Sequence, residues 1–481
     1  MHTTGHPYSP LSPTEIVLIH RSALRLLSEM GMVVQHQRLL HSLAECGLPV
    51  DFEAERVRFP APFVERFIAE AKKYDWEQAR PSVSASAGVY HSLYHDPRSE
   101  QLIPWTEENL AFYFALANQL PHIGSVSMLG CRLPVPATLE PLYERYYCWK
   151  YGAAEGSSIY LDELCPYLLE LYRVKAETVG QPIAEVFRGT VFLIPALKLG
   201  RHEAYQVDYF REHGIRVHIG GSMFSMGANA PATLVGAVTL NLAEQLALRI
   251  LDWALFEAGK TPASPEASFP QLFLHTSISV LDMRTTIRPF GRPEMTVANL
   301  MTAQLARHYG AAFGGHAGLT DSMLPSVESG AQKSLSAIAT LMAGGNVWLD
   351  AGLLGIDEVC SPIQLILDDE LVSALKVFTH EFEISEEAIG LETILEAGPA
   401  GQYLDKPHTA RYFRQEHWNP SLWNRRMLSA WQSEGALLDV DKARQLALEV
   451  QKQGRSPSAM ADALEREILI IIEKAKQRIT A

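Results

Sequence analysis

The sequence predicts an α/β protein built on a (β/α)8 TIM barrel, with an N-terminal helical extension and C-terminal helices. Three observations point there. From about residue 108 onward, apolar strand-like runs alternate with helix-length spacers, as parallel βα units require. About eight such runs can be counted, and no GxGxxG follows the first of them, which favours a barrel over a dinucleotide-binding sheet. Hydrophobic residues make up 47% of the 481, ample for a large core and incompatible with global disorder.

The elements follow in order. Ser12 and Thr14 precede EIVLIHRSALRLLSEMG, a helix with apolar positions at Ile16, Ile19, Leu24, Leu26 and Leu27 and a stop at Gly31. QRLLHSLAECG is a second amphipathic helix, LPVDFEAERVRFP a hairpin or extended crossing, and APFVERFIAEAKK a third helix. Residues 80–105 alternate Ser and Tyr in a way that suggests short strands. The strand-like runs are then IGSVSML (123–129), SSIYL (157–161), GTVFLIPAL (189–197), IRVHIGGSM (215–223), LFLHTSIS (272–279), GAAFGGHAG (310–318), NVWLDAG (346–352) and IQLIL (363–367). The last stretch is more charged and helical. The expected division is an N-terminal segment 1–107, a catalytic barrel 108–385 and a C-terminal helical segment 386–481.

Composition excludes several functions. The chain carries 41 Lys and Arg against 55 Asp and Glu, a net charge of -14, which disfavours nucleic acid as a partner. Its five cysteines, Cys46, Cys131, Cys148, Cys165 and Cys360, form no CxxC pair, so neither a disulfide scaffold nor a Cys-rich zinc site is expected. The N-terminus lacks the pattern of a secretory signal, and runs such as ILIII are too short to span a bilayer. A cytoplasmic protein without a membrane partner is the expectation.

In a barrel of this kind functional groups stand where strands end and loops begin. Strand ends place Met128, Gly130 and Cys131, then Tyr160, Asp162 and Glu163, then Gly220 to Met223. Further on come His275 and Ser277 with Asp282 and Arg284 beyond, Phe313 to His316 with Thr320 and Asp321, and Trp348 with Asp350. Consecutive glycines inside a strand mark a close approach of backbone or ligand, or merely a bulge, and His316 could equally be a satisfied core histidine. His275, His316 and Asp350 could converge on a metal, but HExxH is missing, as are GxSxG, P-loop and SxxK nucleophile motifs. Tyr94, Tyr160, Phe313 and Trp348 could supply aromatic faces that bind a quaternary ammonium group, or could be ordinary packing residues.

Several strings are distinctive: PFGRPEMTVANLMTAQLARHYG, GLTDSMLPSVESGAQKSL, LMAGGNVWLDAGLL, IQLILDDELV and ILEAGPAGQYLDKPHTARYFRQEHWNPSLWNRR. Together with LSPTEIVLIHRSALRLLSEMG and AERVRFPAPFVERFI, they resemble the trimethylamine:corrinoid methyltransferase family over nearly the whole chain. The resemblance implies a (β/α)8 barrel with N-terminal helical additions. It implies transfer of a methyl group to Co(I) of a corrinoid carried by a separate, cognate protein, with no cofactor held tightly by this chain. Founding members carry pyrrolysine after the sixth strand; here that place falls near Leu319 or Thr320, both ordinary residues. The resemblance therefore points to the branch without pyrrolysine, which acts on quaternary amines such as glycine betaine, and to a homo-oligomer. Met323 stands where the family commonly has Lys, which bears on activity.

Strand-end position then assigns the site. Tyr94, Tyr160, His275, Phe313, His316 and Trp348 are the expected substrate-binding residues. His316, Thr320 and Asp321 are the expected catalytic ones, Gly314, Gly315 and Leu319 face the corrinoid, and no metal is expected. A quaternary amine leaves as a neutral tertiary amine, so the reaction needs positioning more than acid–base help. Positive charge on nitrogen falls in the transition state, so aromatic faces suit it better than a bare carboxylate. The alternatives are a metal-dependent TIM-barrel lyase or hydrolase, and a non-catalytic betaine-binding barrel.

Overall fold

The computed structural model describes residues 9–128, 130, 133–258, 269–454 and 458–479. The first helix, Pro13–Glu29, starts on Ser12. The Ser12 hydroxyl accepts the Glu15 amide, and the Glu15 carboxylate accepts the Ser12 amide at 2.7 Å. Ile19, Ala23, Leu24 and Leu27 fall on one face and are buried. Gly31 ends the turn in the left-handed region, where a Cβ would run into the Val57 carbonyl. Val50–Asp51 and Arg56–Val57 form an antiparallel hairpin on Met32–Val34, which in turn runs parallel to Lys198–Leu199.

The parallel strands are β1 (Val83–Val89), β2 (Ser125–Met128), β3 (Thr190–Phe192), β4 (His218–Gly220), β5 (Phe273–Leu274), β6 (Ala312–Ala317) and β7 (Asn346–Ala351). Five of them form one sheet in the order β5-β6-β7-β1-β2, every pair parallel. β3 and β4 form a second parallel pair. β1 therefore pairs on both sides within the sheet although it precedes residue 108. The alternation in VSASAGV marks a short strand, as expected for residues 80–105, but not a strand of the barrel. Buried Ala85, Ala87 and Val89 alternate with Ser84 and Ser86, too little apolar mass to stand out in a hydropathy scan.

Two strand expectations give way. Residues 157–161 form no strand: Ser157 accepts the Thr190 amide at 2.8 Å, and Ser127 bridges Ala154 in parallel. IQLIL lies inside the helix Pro362–Lys376. Ser361 accepts the Gln364 amide and Pro362 opens the first turn, a helix-start signal that outweighs the short apolar run.

The helix Leu234–Phe256 packs against Pro13–Glu29, Gln37–Glu45 and Pro293–Tyr309. Among the described residues it is the one helix long and apolar enough to cross a membrane, and most of it is buried in the fold. The C-terminal segment is pinned by Glu370. Its carboxylate accepts the Ser421 amide and hydroxyl, the Leu422 amide and the Trp423 amide at 2.6–3.1 Å. Burial pushes this carboxyl up, but the four donors outweigh burial and hold it below the ordinary range. The helix Asp439–Lys452 then lies on Pro362–Lys376, and Asp462–Ile479 lies on Cys165–Val179 and Glu140–Lys150.

Candidate functional site

Side chains alternate between the two faces of a strand, so β6 divides its own residues. One face meets the helices Pro293–Tyr309 and Val327–Met342. A Cβ on Gly315 would stand 2.5 Å from Thr340 Cγ2 and 3.0 Å from Asn299 Nδ2. Phe313 shares that face and is buried against the space over Gly345. Gly314 and His316 look the opposite way, to the inner face. There a Cβ on Gly314 would stand 2.7 Å from Trp348 Cζ2 and 2.9 Å from Phe273 Cζ. The Phe273 and Trp348 rings lie 5.4 Å apart, inclined by 33°. Gly314 is thus the gap in the sheet into which two aromatic rings settle.

Above these rings, His316 Nε2 meets Asp350 Oδ2 at 2.5 Å. The Asp350 charge raises the His316 pKa and prevails over burial, which lowers it. Asp350 is itself held from beneath. Lys333 Nζ donates to the Asp350 carbonyl at 3.0 Å and to Asp368 Oδ2 at 2.8 Å. Asp368 also accepts the Gly352 amide and Gln364 Nε2, both at 2.8 Å. Lys333 and Asp368 are fully buried, so this pair fixes the end of β7 from the helix side. Nearby, Asp357 has a left-handed backbone, and burial with the Asp350 charge pushes its carboxyl up to about 6. Burial lowers Arg288 to about 10, partly offset by Asp357. The Arg288 guanidinium donates to Ser279 Oγ at 3.0 Å and lies 5.3 Å from the Phe290 ring centre.

Deeper on the inner face the balance reverses. Burial, followed by the charges of Arg249, His316 and His218, brings His275 down to about 4, so it is neutral at pH 7. Arg249 reaches in from the helix Leu234–Phe256, its guanidinium carbon 5.8 Å from the Phe273 ring centre. On the same helix Asn241 donates to the His275 carbonyl at 3.0 Å. A second group of side chains lies beyond β2. Buried Glu144 pairs with Arg145 at 3.0 Å and accepts Ser158 Oγ at 3.0 Å; burial pushes its carboxyl to about 7. Burial and the Glu144 charge both raise the Tyr160 phenol, and His91 Nε2 meets Glu140 Oε2 at 3.0 Å.

The expected site residues separate accordingly. His275, His316, Trp348 and Gly314 share the inner face, with Asp350. Tyr160 is exposed in the loop beside Glu144. Tyr94 is not at an opening: it is buried in a small side sheet, its ring 5.1 Å from that of Trp105. Phe313 and Gly315 face the helices for the alternation just given. The Thr320 hydroxyl donates to Gln332 Oε1 at 2.5 Å, and Asp321 Oδ1 accepts the Phe290 and Gly291 amides at 2.6 and 3.1 Å. Both are occupied in holding the loop after β6. Leu319 is buried in a small crevice that His316, Met295 and Leu335 also line. Cys131 lies outside the described residues. Sequence reasoning missed Phe273, Arg249, Arg288 and Asp357. Phe273 was within reach, being two residues before His275 and so on its face. Arg249 carries no such signal, since it enters from a helix. Among the described residues no three His, Cys, Asp or Glu side chains are grouped to hold a metal ion.

A family model described as trimethylamine methyltransferase (MTTB) matches residues 1–88 and 206–480. The chain belongs to that family. It is similar to the trimethylamine methyltransferase MttB of Desulfitobacterium hafniense (strain DSM 10664 / DCB-2), 20% identical over 504 residues and covering 98% of this chain and 95% of that protein. It is also similar to the glycine betaine methyltransferase of Desulfitobacterium hafniense (strain Y51), 29% identical over 449 residues with 89% of each chain covered. The solved monomethylamine methyltransferase (MtmB) of Methanosarcina barkeri overlaps 97% of this chain and 92% of its own at a TM-score of 0.41 and 10% identity, too loosely to carry an argument. In this trimethylamine methyltransferase family member, the inner-face residues from Arg249 to Asp357 lie within the matched segments. Glu144 and Tyr160 lie in the unmatched stretch between them.

Proposed function

We propose that this chain transfers a methyl group from a quaternary amine of the betaine class to Co(I) of a corrinoid on a separate protein, without pyrrolysine. We also read its strands as a (β/α)8 barrel. β5-β6-β7-β1-β2 continues through residues 154–157 to β3 and β4, which makes eight segments. Just past β4 and β5, Phe224–Met226 pairs in parallel with Ile278–Val280 and joins that seam, while at its deeper end Asn241, Gln245 and Arg249 of the helix Leu234–Phe256 reach in between the strands. The observation that carries the functional reading is the pair of rings, Phe273 and Trp348, open to the inner face beside Gly314. Aromatic faces attract an onium head at about 0.5–2 kcal/mol per contact.

The site is not purely aromatic, and the charges matter. A bare carboxylate against N⁺ would hold the ground state harder than the transition state. Asp350 is not bare, because His316 neutralises it at 2.5 Å and Lys333 fixes its backbone. The pair then acts as a fixed dipole that orients the head, and no proton need move. Trp348 excludes water from the carbon to be transferred, and Phe273 closes the deeper side of the onium head. Bound in its reduced state, the corrinoid supplies the nucleophile. The rim suits such a partner: Tyr160, Met223, Met283, Ile287 and Met323 stand exposed on loops after the strands. Met323 belongs to this rim rather than to the inner face.

Exposed Ile384, Leu391, Leu395 and Leu404 support an assembly of like chains. The free thiols of Cys46, Cys148, Cys165 and Cys360 suit a reducing cytoplasm. The deciding experiment mixes the protein with a Co(I) corrinoid protein and a panel of betaines and simple methylamines, and follows methyl–cobalt absorbance. A betaine should give methyl–cobalt. Turnover of methylamines alone would overturn the substrate class, and binding without transfer would favour a betaine-binding barrel.

A further inference from the structure

We propose that the deep end of the barrel seats the carboxylate of the substrate, with Arg249 as its counter-ion and His275 as a hydrogen-bond donor beside it. The onium head then points to the mouth. This rests on the quaternary-amine reading above and adds an orientation and a specificity residue to it.

Arg249 is a cation without an adequate partner. Its Nε is buried with no hydrogen-bond acceptor. The acidic group that acts on it, Asp252, is already paired with Arg216. A buried guanidinium left unpaired is costly, and an anionic ligand removes that cost. Its position is also informative. Arg249 lies over Phe273, at the start of β5, and His218 opens β4; His316 and Asp350 stand toward the ends of β6 and β7. Parallel strands run from the closed end to the mouth, so the unpaired Arg249 lies deep with His275 and His218, while the cations at the mouth, His316 and Arg288, already face the carboxylates Asp350 and Asp357. That gradient matches a zwitterion lying head up. The chemistry demands the same orientation, because the methyl group must face a partner that docks at the mouth. A simple methylamine has no group for Arg249 and would leave it unpaired.

Calorimetric titration of the intact protein with glycine betaine, longer carboxylate betaines and tetramethylammonium tests this, using the wild type, Arg249→Met and Arg249→Lys. Arg249→Met should weaken betaine binding at least tenfold and Arg249→Lys less. Tetramethylammonium affinity and the melting midpoint should stay within twofold and a few degrees of the wild type. Unchanged betaine affinity in Arg249→Met, or equal loss for betaines and tetramethylammonium, would overturn the proposal. If the wild type takes up tetramethylammonium but no betaine, the substrate class has failed instead.

Discussion

Two adjacent glycines in β6 separate binding from folding. Gly314 looks to the inner face, where the atoms a Cβ would meet belong to the Trp348 and Phe273 rings, and Trp348 is itself partly exposed. Gly315 faces the helices, where the atoms belong to Thr340 and Asn299, both fully buried. The same Ala substitution should therefore act differently at each. Gly314→Ala displaces the rings and should weaken betaine binding about tenfold, with melting nearly unchanged. Gly315→Ala overpacks the sheet–helix layer and should cost about 1–3 kcal/mol of stability. Paired thermal unfolding and ligand titration check this; if Gly314→Ala melted early while still binding normally, the faces would be misassigned. In the sequence these two residues looked alike. Strand alternation separates them only once the strand's register against its helices is known, and that same missing register placed Phe313 in the cage and left Phe273 out.

At the scale of elements, the family-like strings turn out to hold structure as much as chemistry. GAQKSL contributes Lys333 and IQLILDDELV contributes Asp368, a fully buried pair that ties two helices to the end of β7. Removing one partner strands a buried charge, so Lys333→Met should lower stability by roughly 3–5 kcal/mol. Adding Asp368→Asn, which keeps an acceptor for Gly352 and removes the orphan charge, should recover part of that loss. Denaturant unfolding of the single and double variants measures both, and equal loss in the two would mean the charge is not the cause. Legibility followed mass and periodicity. β6 and β7 were readable because their apolar and glycine patterns are strong. β1 was legible as a short strand from its alternation but not as part of the barrel, because serine and alanine leave little hydropathy contrast. IQLIL looked like a strand because four of its five residues are apolar, while the decisive signal, Ser361–Pro362, lies just before it.

For the whole molecule, strand direction gives the fold two unlike ends, and exposed apolar residues occur at both. Met283 follows the strand Ile278–Val280 at the mouth, whereas Met342 closes the helix Val327–Met342 at the far end. They are similarly exposed, 66% and 77%. Exposure alone therefore does not select a partner face; polarity does, because the methyl group can leave only through the mouth. A charge placed on the docking face should oppose the corrinoid protein, while the same charge at the far end should not. Met283→Glu is expected to raise the KM for the corrinoid protein roughly tenfold, equivalent to about 1.4 kcal/mol, without changing betaine affinity. Met342→Glu should leave both unchanged. Steady-state methyl–cobalt formation at varied corrinoid protein, alongside betaine titration, reads the two effects separately. An effect of Met342→Glu equal to that of Met283→Glu would remove the mouth from its role, since a partner at the far end could not approach the carbon held between Trp348 and the His316–Asp350 pair.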